Sequence, residues 1–119
     1  MPEVVVPLAA RQAALVGRLA RAYAALLGAA AEEHDGMHVR HGLPRRAYPR
    51  GGVTWGDTYV CGSAPWARSP ERLRHERVHV EQWRTYGLWF ALLYLRAGRD
   101  PLHNRFEIEA GLHDGGYVR

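Results

Sequence analysis

His75-Glu76-Arg77-Val78-His79 sets two imidazoles four positions apart, with a carboxylate directly after the first. On a helix, positions i and i+4 share one face, so both rings can reach a single metal ion. Glu76 points about 100° away on the helical wheel, where its carboxylate can meet a metal-bound water. The chemistry this spacing indicates is metal-assisted hydrolysis, with two imidazoles as ligands and one carboxylate as general base.

A catalytic zinc also needs a third protein ligand and an open position for water. One extension of the pattern puts glycine three and histidine six residues after the second histidine. Those positions are Gln82 and Thr85, which excludes that class. A carboxylate from a later helix is the remaining source. Glu107 and Glu109 are the candidates, almost one helix side apart, and only one can face the metal.

The motif needs a helix to carry it, and the flanking residues predict one. Ser69-Pro70-Glu71 reads as N-cap, first-turn proline and first-turn acid, and Gly87 as terminator, so the helix runs to about Tyr86. Upstream, Leu8 to about Ala31 is helical. Leu8, Gln12, Leu15, Leu19, Tyr23, Leu26 and Ala30 form a stripe expected to pack the core, with a dimer seam or a membrane-surface helix as other uses. Glu32 to Gly36 reads as a polar turn ending that helix, Met37 to His41 as a short strand, and Gly42 to Gly52 as an arginine-rich, solvated loop, with holding an acidic partner or a substrate carboxylate as its other use. Val53 to Cys61 has strand composition, with Gly56 marking a bulge or the close approach of another backbone. A strand there could pair an extended peptide by strand addition. Leu88 to Leu95 reads as a buried helix too short to span a bilayer, with its two large aromatics facing a membrane or a partner as the other use, and Asp100-Pro101 opens a last helix to near Leu112.

Composition bounds the rest. With 119 residues, 47% hydrophobic and 24% charged, the chain is expected to form one ordinary domain, 1–119. All sixteen basic residues are arginine and the net charge is +4, but the arginines are scattered without a stacking motif and do not point to nucleic acid. A single cysteine, Cys61, excludes an internal disulfide and fits a reducing compartment. It reads as a buried structural thiol, with a thiolate cap on an inactive zinc as the other use. The N-terminus shows no signal-peptide pattern and no stretch is long enough to span a membrane, so a cytoplasmic protein is expected.

The H-E-x-x-H motif, together with Glu107-Ile108-Glu109-Ala110, resembles the gluzincin-type zinc metallopeptidases, especially the small single-domain minigluzincins. It is similar also to the soluble catalytic core of the membrane-embedded heat-shock and CAAX-prenyl proteases. The resemblance spans roughly Gly51 to Gly116. It implies an α+β, zincin-like fold: a small antiparallel sheet packed with an N-terminal helix, a metal-binding helix and a C-terminal glutamate helix. It also implies a Zn2+ cofactor held by His75, His79 and Glu107, with Glu76 as general base in hydrolysis of a peptide or protein substrate. The family's Glu-x-x-Ala-Asp element has Gly111 here in place of aspartate. Asp114 and Asp57 are the candidates to orient a ligand histidine instead. Tyr117 and His113, and less specifically Tyr94 and His103, are candidates to steady an oxyanion. His34, His38 and His41 are expected to be exposed. The other readings are a zinc-binding pseudo-enzyme or latent peptidase acting as an interaction module, and an arginine-based nucleic-acid binder.

Overall fold

A computed structural model describes residues 6–44 and 51–118. Part of the arginine-rich loop, including Arg45, Arg46 and Arg50, lies outside the described residues. Helix α1 (Leu8–Leu26) is followed by strands β1 (Ala30–His34), β2 (Met37–Leu43), β3 (Gly52–Trp55) and β4 (Thr58–Gly62). A 3₁₀ turn at Pro65–Arg68 leads into α2 (Pro70–Tyr86), α3 (Trp89–Ala97) and α4 (Arg105–Ala110). The architecture is α+β, with the strands in the order β1-β2-β4-β3.

The sheet is mixed, which corrects the expected antiparallel arrangement. β1 and β2 are antiparallel, as are β3 and β4, but β2 lies parallel to β4 with Val39 opposite Tyr59. The reason is that Val53 to Cys61 is two strands rather than one bulged strand. Gly56 (φ 63°) and Asp57 make a two-residue hairpin turn, with glycine at the position where a type II′ turn demands it. β3 folds to the outside, and β4 takes the centre beside β2. Every residue of β4 is buried. Tyr59 and Cys61 pack with Met37, Val39, Ala67 and Val80, while Val60 packs with Ala20 and Leu43. The two-residue period of a strand thus serves two faces.

α1 ends earlier than its composition predicts. Ala29 N–H bonds the Ala24 carbonyl and Gly28 N–H the Ala25 carbonyl, each at 3.0 Å, the paired bonds of a glycine-terminated helix. Asp35-Gly36, read from the sequence as a helix end, turns the β1–β2 hairpin with both residues at positive φ.

The larger correction concerns which face of α1 is inside. The buried residues are Ala13, Gly17, Ala20 and Ala24; Leu8, Leu15, Leu19, Tyr23 and Leu26 are exposed. The cause is distance. The β3–β4 turn presses so closely on α1 that a Cβ on Gly17 would lie 1.7 Å from Asp57 Oδ1, and one on Gly56 would lie 2.0 Å from the Ala13 carbonyl oxygen. Only small residues fit there. Arg21 fastens the contact by donating to Asp57 Oδ1 and Thr58 Oγ1, both at 2.8 Å. α3 departs from expectation likewise, burying only Phe90.

Gly17→Ala tests this packing. Alanine is the better helix former by about 1 kcal/mol, but here it must displace Asp57 from Arg21. A net loss of about 1–3 kcal/mol is expected from urea denaturation; unchanged or increased stability contradicts the close approach.

Candidate metal centre

α2 begins and ends as its sequence predicts. Ser69 caps it by accepting from the Arg72 N–H at 3.1 Å, and Gly87 closes it. Its inward face is unusual for a core helix: Arg72, His75, Glu76, His79 and Gln82 are all buried beside Val80 and Trp83. Buried polar side chains of this kind must find partners.

The partners of the two histidines define the site. His75 Nδ1 lies 2.8 Å from the carbonyl oxygen of Gly111, and His79 Nδ1 lies 2.7 Å from Gln82 Oε1. The Gln82 amide is oriented in turn, because its nitrogen donates to the Phe106 carbonyl at 3.0 Å and to Glu109 at 2.9 Å. Both Nδ1 atoms therefore face acceptors and carry hydrogen, which leaves each Nε2 lone pair for the interior. The Nε2 atoms are 3.1 Å apart, and Glu107 Oε1 sits 3.0 Å from one and 2.8 Å from the other.

Two imidazole lone pairs and a carboxylate in van der Waals contact repel unless positive charge lies among them. In the metal-free protein, a proton on His79 is one way to meet that need. Burial disfavours the charged ring, but the hydrogen bond to Glu107 and the charges of Glu76 and Glu107 outweigh it and raise its pKa. A metal ion meets the need with all three groups as acceptors. His75, His79 and Glu107, all buried, can hold one, their donor atoms lying within 4.8 Å of one another. Burial pushes the Glu107 carboxyl up, but the two imidazoles beside it and the hydrogen bond from Tyr94 hold it well below its ordinary value, so it stays an anion.

Glu107 is delivered by a joint that the sequence reading misplaced. α4 starts at Arg105 rather than near Pro101, because Asn104 is its cap. The Asn104 side chain accepts from the Phe106 and Glu107 N–H groups at 2.9 and 3.4 Å and donates to the Tyr94 and Gly98 carbonyls at 3.2 and 3.0 Å. The readable signal was Asn104-x-x-Glu107, a cap residue with glutamate three positions on. Tyr94 and Tyr117 both donate to Glu107 Oε2, leaving Oε1 for the histidines. Burial, then the Glu107 carboxylate, pushes the Tyr117 hydroxyl up to about 12, so it remains a donor. Glu109 is exposed and serves Gln82, so the choice between the two glutamates falls to Glu107.

The remaining candidates lie elsewhere. Asp114 bonds Arg74 at 3.3 and 3.4 Å, and Asp57 is engaged by Arg21; neither is a partner of His75 or His79. α4 ends at Ala110 with Gly111 at φ 102°, so the continuous helix that would carry Asp114 round to the histidines does not exist. His113 and His103 are exposed beside Asp114 and Asp100. His34 pairs with Asp35, while His38 and His41 are half-buried beside Glu33 and Glu32. Cys61 is in the sheet core, away from the triad.

Glu76 stands beside the triad with both oxygens engaged. Thr54 Oγ1 donates to Oε2 at 2.7 Å and Arg72 Nε to Oε1 at 3.0 Å. Arg72 is itself buried and reaches the Gly52 carbonyl at 3.3 Å. These supports were missed from sequence, although Arg72 is one helical turn before Glu76 and Gln82 three residues after His79. A cavity of about 660 Å³ opens onto Glu76, His79 and Glu107, with Val53, Trp55 and Phe90 among its apolar walls.

Comparison with protein-family models, with curated proteins and with solved structures finds no match. The fold and site define a small α+β protein with a buried His-His-Glu group able to hold a metal ion. Among the described residues, no helix is long and apolar enough to cross a membrane.

Two measurements probe this arrangement. Gln82→Met keeps the volume but removes the acceptor of His79, and metal affinity is expected to fall about 10- to 100-fold by competition with a chromogenic chelator. Unchanged affinity would mean that Gln82 does not orient the ring. Burial pushes the Cys61 thiol up to about 11. At pH 8 only about a thousandth of it is thiolate, so alkylation should be slow in the folded protein, accelerate with rising pH, and become fast on unfolding.

Proposed function

We propose that this chain is a zinc-dependent metallopeptidase of gluzincin type that hydrolyses peptide bonds. The observation that carries the reading is the pair of histidines with Nδ1 tied to acceptors and Nε2 turned onto Glu107. Their Nε2 separation of 3.1 Å is near the ~3.3 Å that two nitrogen ligands take on a tetrahedral zinc. His75, His79 and Glu107 would hold a zinc ion, which would supply Lewis-acid polarisation and lower the pKa of water.

The chain's own residues do the rest. Glu76 retains free lone pairs on each carboxylate oxygen, since every oxygen accepts only one bond from Thr54 or Arg72. It takes a proton from water and returns it to the departing amine. Tyr94 and Tyr117 keep Glu107 aligned, and both line the cleft as donors for a developing oxyanion. The apolar walls suit a hydrophobic substrate side chain. Edge strand β3 borders the cleft, but the Gly52 and Thr54 carbonyls already accept from Arg72 and Trp83. Strand addition by a peptide therefore has fewer free acceptors than an open edge provides.

One observation favours a second reading, a latent peptidase or a zinc-binding pseudo-enzyme acting as an interaction module. The Arg72–Glu76 ion pair is buried, with both side chains under 10% exposed, and holds the base in place before any substrate arrives.

The test is metal content and cleavage together. About one zinc per chain is expected after purification without chelator, and Glu76→Gln should keep the metal while peptide hydrolysis falls by about 10²–10⁴-fold. Absence of zinc sinks the site. Zinc without cleavage of any peptide in a mixed library, restored by Arg72→Ala, selects the latent form; zinc without cleavage in either protein selects the module.

A further inference from the structure

We infer that α1 and α3 together form a surface that docks on an anionic membrane, laying the protein on the bilayer without crossing it. The inference goes beyond the peptidase reading and does not depend on it.

The first observation is that α1 is packed with its small residues inward. Leu8, Leu15, Leu19 and Leu26 face out, and Leu8 and Leu26 are 70% and 88% exposed. α3 does the same with Leu88, Trp89, Leu92 and Leu95, of which Trp89 and Leu95 are 69% and 73% exposed. The two helices meet near their N-terminal ends, where the Leu88 N–H donates to Gln12 of α1 at 3.0 Å and Gly87 lies against Ala9. Scattered exposed leucines need no explanation, whereas eight large apolar residues exposed on two touching helices do.

The second observation is charge. Arg11 and Arg18 flank the α1 stripe, and Arg96 and Arg99 flank that of α3; all four are exposed. No acidic residue occurs from Val4 to Ala31 or from Gln82 to Arg99. Pressing this face onto a second copy would set arginines against arginines with no carboxylate from either helix to meet them. A nucleic acid would answer the arginines but leave the leucines in water. An anionic bilayer answers both, taking leucine side chains below the headgroups and arginines at the phosphates. Tryptophan at the border of such a face matches the preference of indole for the interface. Neither helix carries a span, so the contact is peripheral. Phe90, Ala91, Tyr94 and Leu95 of α3 also line the cleft, so docking sets the cleft beside the lipid.

The experiment is co-sedimentation of the full chain with phosphatidylcholine vesicles, with and without about one-third phosphatidylglycerol. Binding to the anionic vesicles is expected to exceed binding to the neutral ones by about tenfold or more and to weaken with added salt. Replacing Leu15, Leu19 and Trp89 with serine should abolish it, and replacing Arg11, Arg18, Arg96 and Arg99 with glutamine should erase the preference for anionic lipid. All seven positions are exposed, and circular dichroism checks that each variant folds. As an independent readout, brominated lipid should quench the wild-type fluorescence more than that of Trp89→Phe. No binding to anionic vesicles overturns the proposal. So does binding that both variants retain, or a dimer in sedimentation velocity that the serine variant converts to monomer. Because the assay needs neither zinc nor catalysis, its failure is distinct from failure of the peptidase reading.

Discussion

Three acceptors turned toward one point constrain everything around them. His75, His79 and Glu107 are brought to about 3 Å of one another, and without positive charge among them that proximity costs energy rather than releasing it. The protein must therefore hold each group from behind. Gly111 and Gln82 grip the histidines by their outer nitrogens, and two tyrosines grip the outer oxygen of Glu107. Outer partners of this kind fix tautomer and orientation at once.

That demand propagates into the fold. A helix whose inner face is arginine, histidine, glutamate and glutamine contributes little apolar burial of its own. Val80 and Trp83 supply what α2 can, and the remainder comes from β4, buried on both faces, and from the aromatic cluster of Trp83, Phe90 and Phe106. α1 adds close backbone contact rather than large side chains, through Gly17 and Ala13 against the β3–β4 turn. A six-residue helix would barely hold together alone. α4 holds because Asn104 satisfies its first N–H groups while bonding two carbonyls at the end of α3.

How much of this was legible follows from the range of each interaction. The α2 boundaries were, since Ser69-Pro70 and Gly87 act within one turn of the chain. So were His75 and His79, whose proximity needs only helical geometry. Glu107 was narrowed to two residues, and tertiary placement decided between them. The side of α1 that packs inward was misread, because leucine periodicity marks an apolar face without saying what it faces; the distance of the neighbouring turn, invisible in sequence, chose alanine and glycine. The mixed sheet was missed for a similar reason. Gly56-Asp57 serves equally as bulge or hairpin turn in one dimension, and only the pairing of Trp55 with Thr58 separates them.

Gly111 shows how a backbone can take a side chain's part. The sequence motif raises the expectation that an aspartate after the alanine orients a histidine. Here the carbonyl oxygen of the substituting residue itself accepts from His75 Nδ1. Glycine suits this for a conformational reason, since φ of 102° at residue 111 ends α4 and is a backbone state that side-chain-bearing residues rarely adopt. The same end of the chain closes over the ring a second time. A Cβ on Gly115 would lie 2.5 Å from His75 Cε1, so the chain passes flat against the imidazole, and Tyr117 follows with its ring 5.9 Å from that of His75. A side chain at residue 111 would have to satisfy both the turn and the acceptor. With glycine there, the turn supplies the acceptor, and the orientation of His75 becomes a property of how α4 ends.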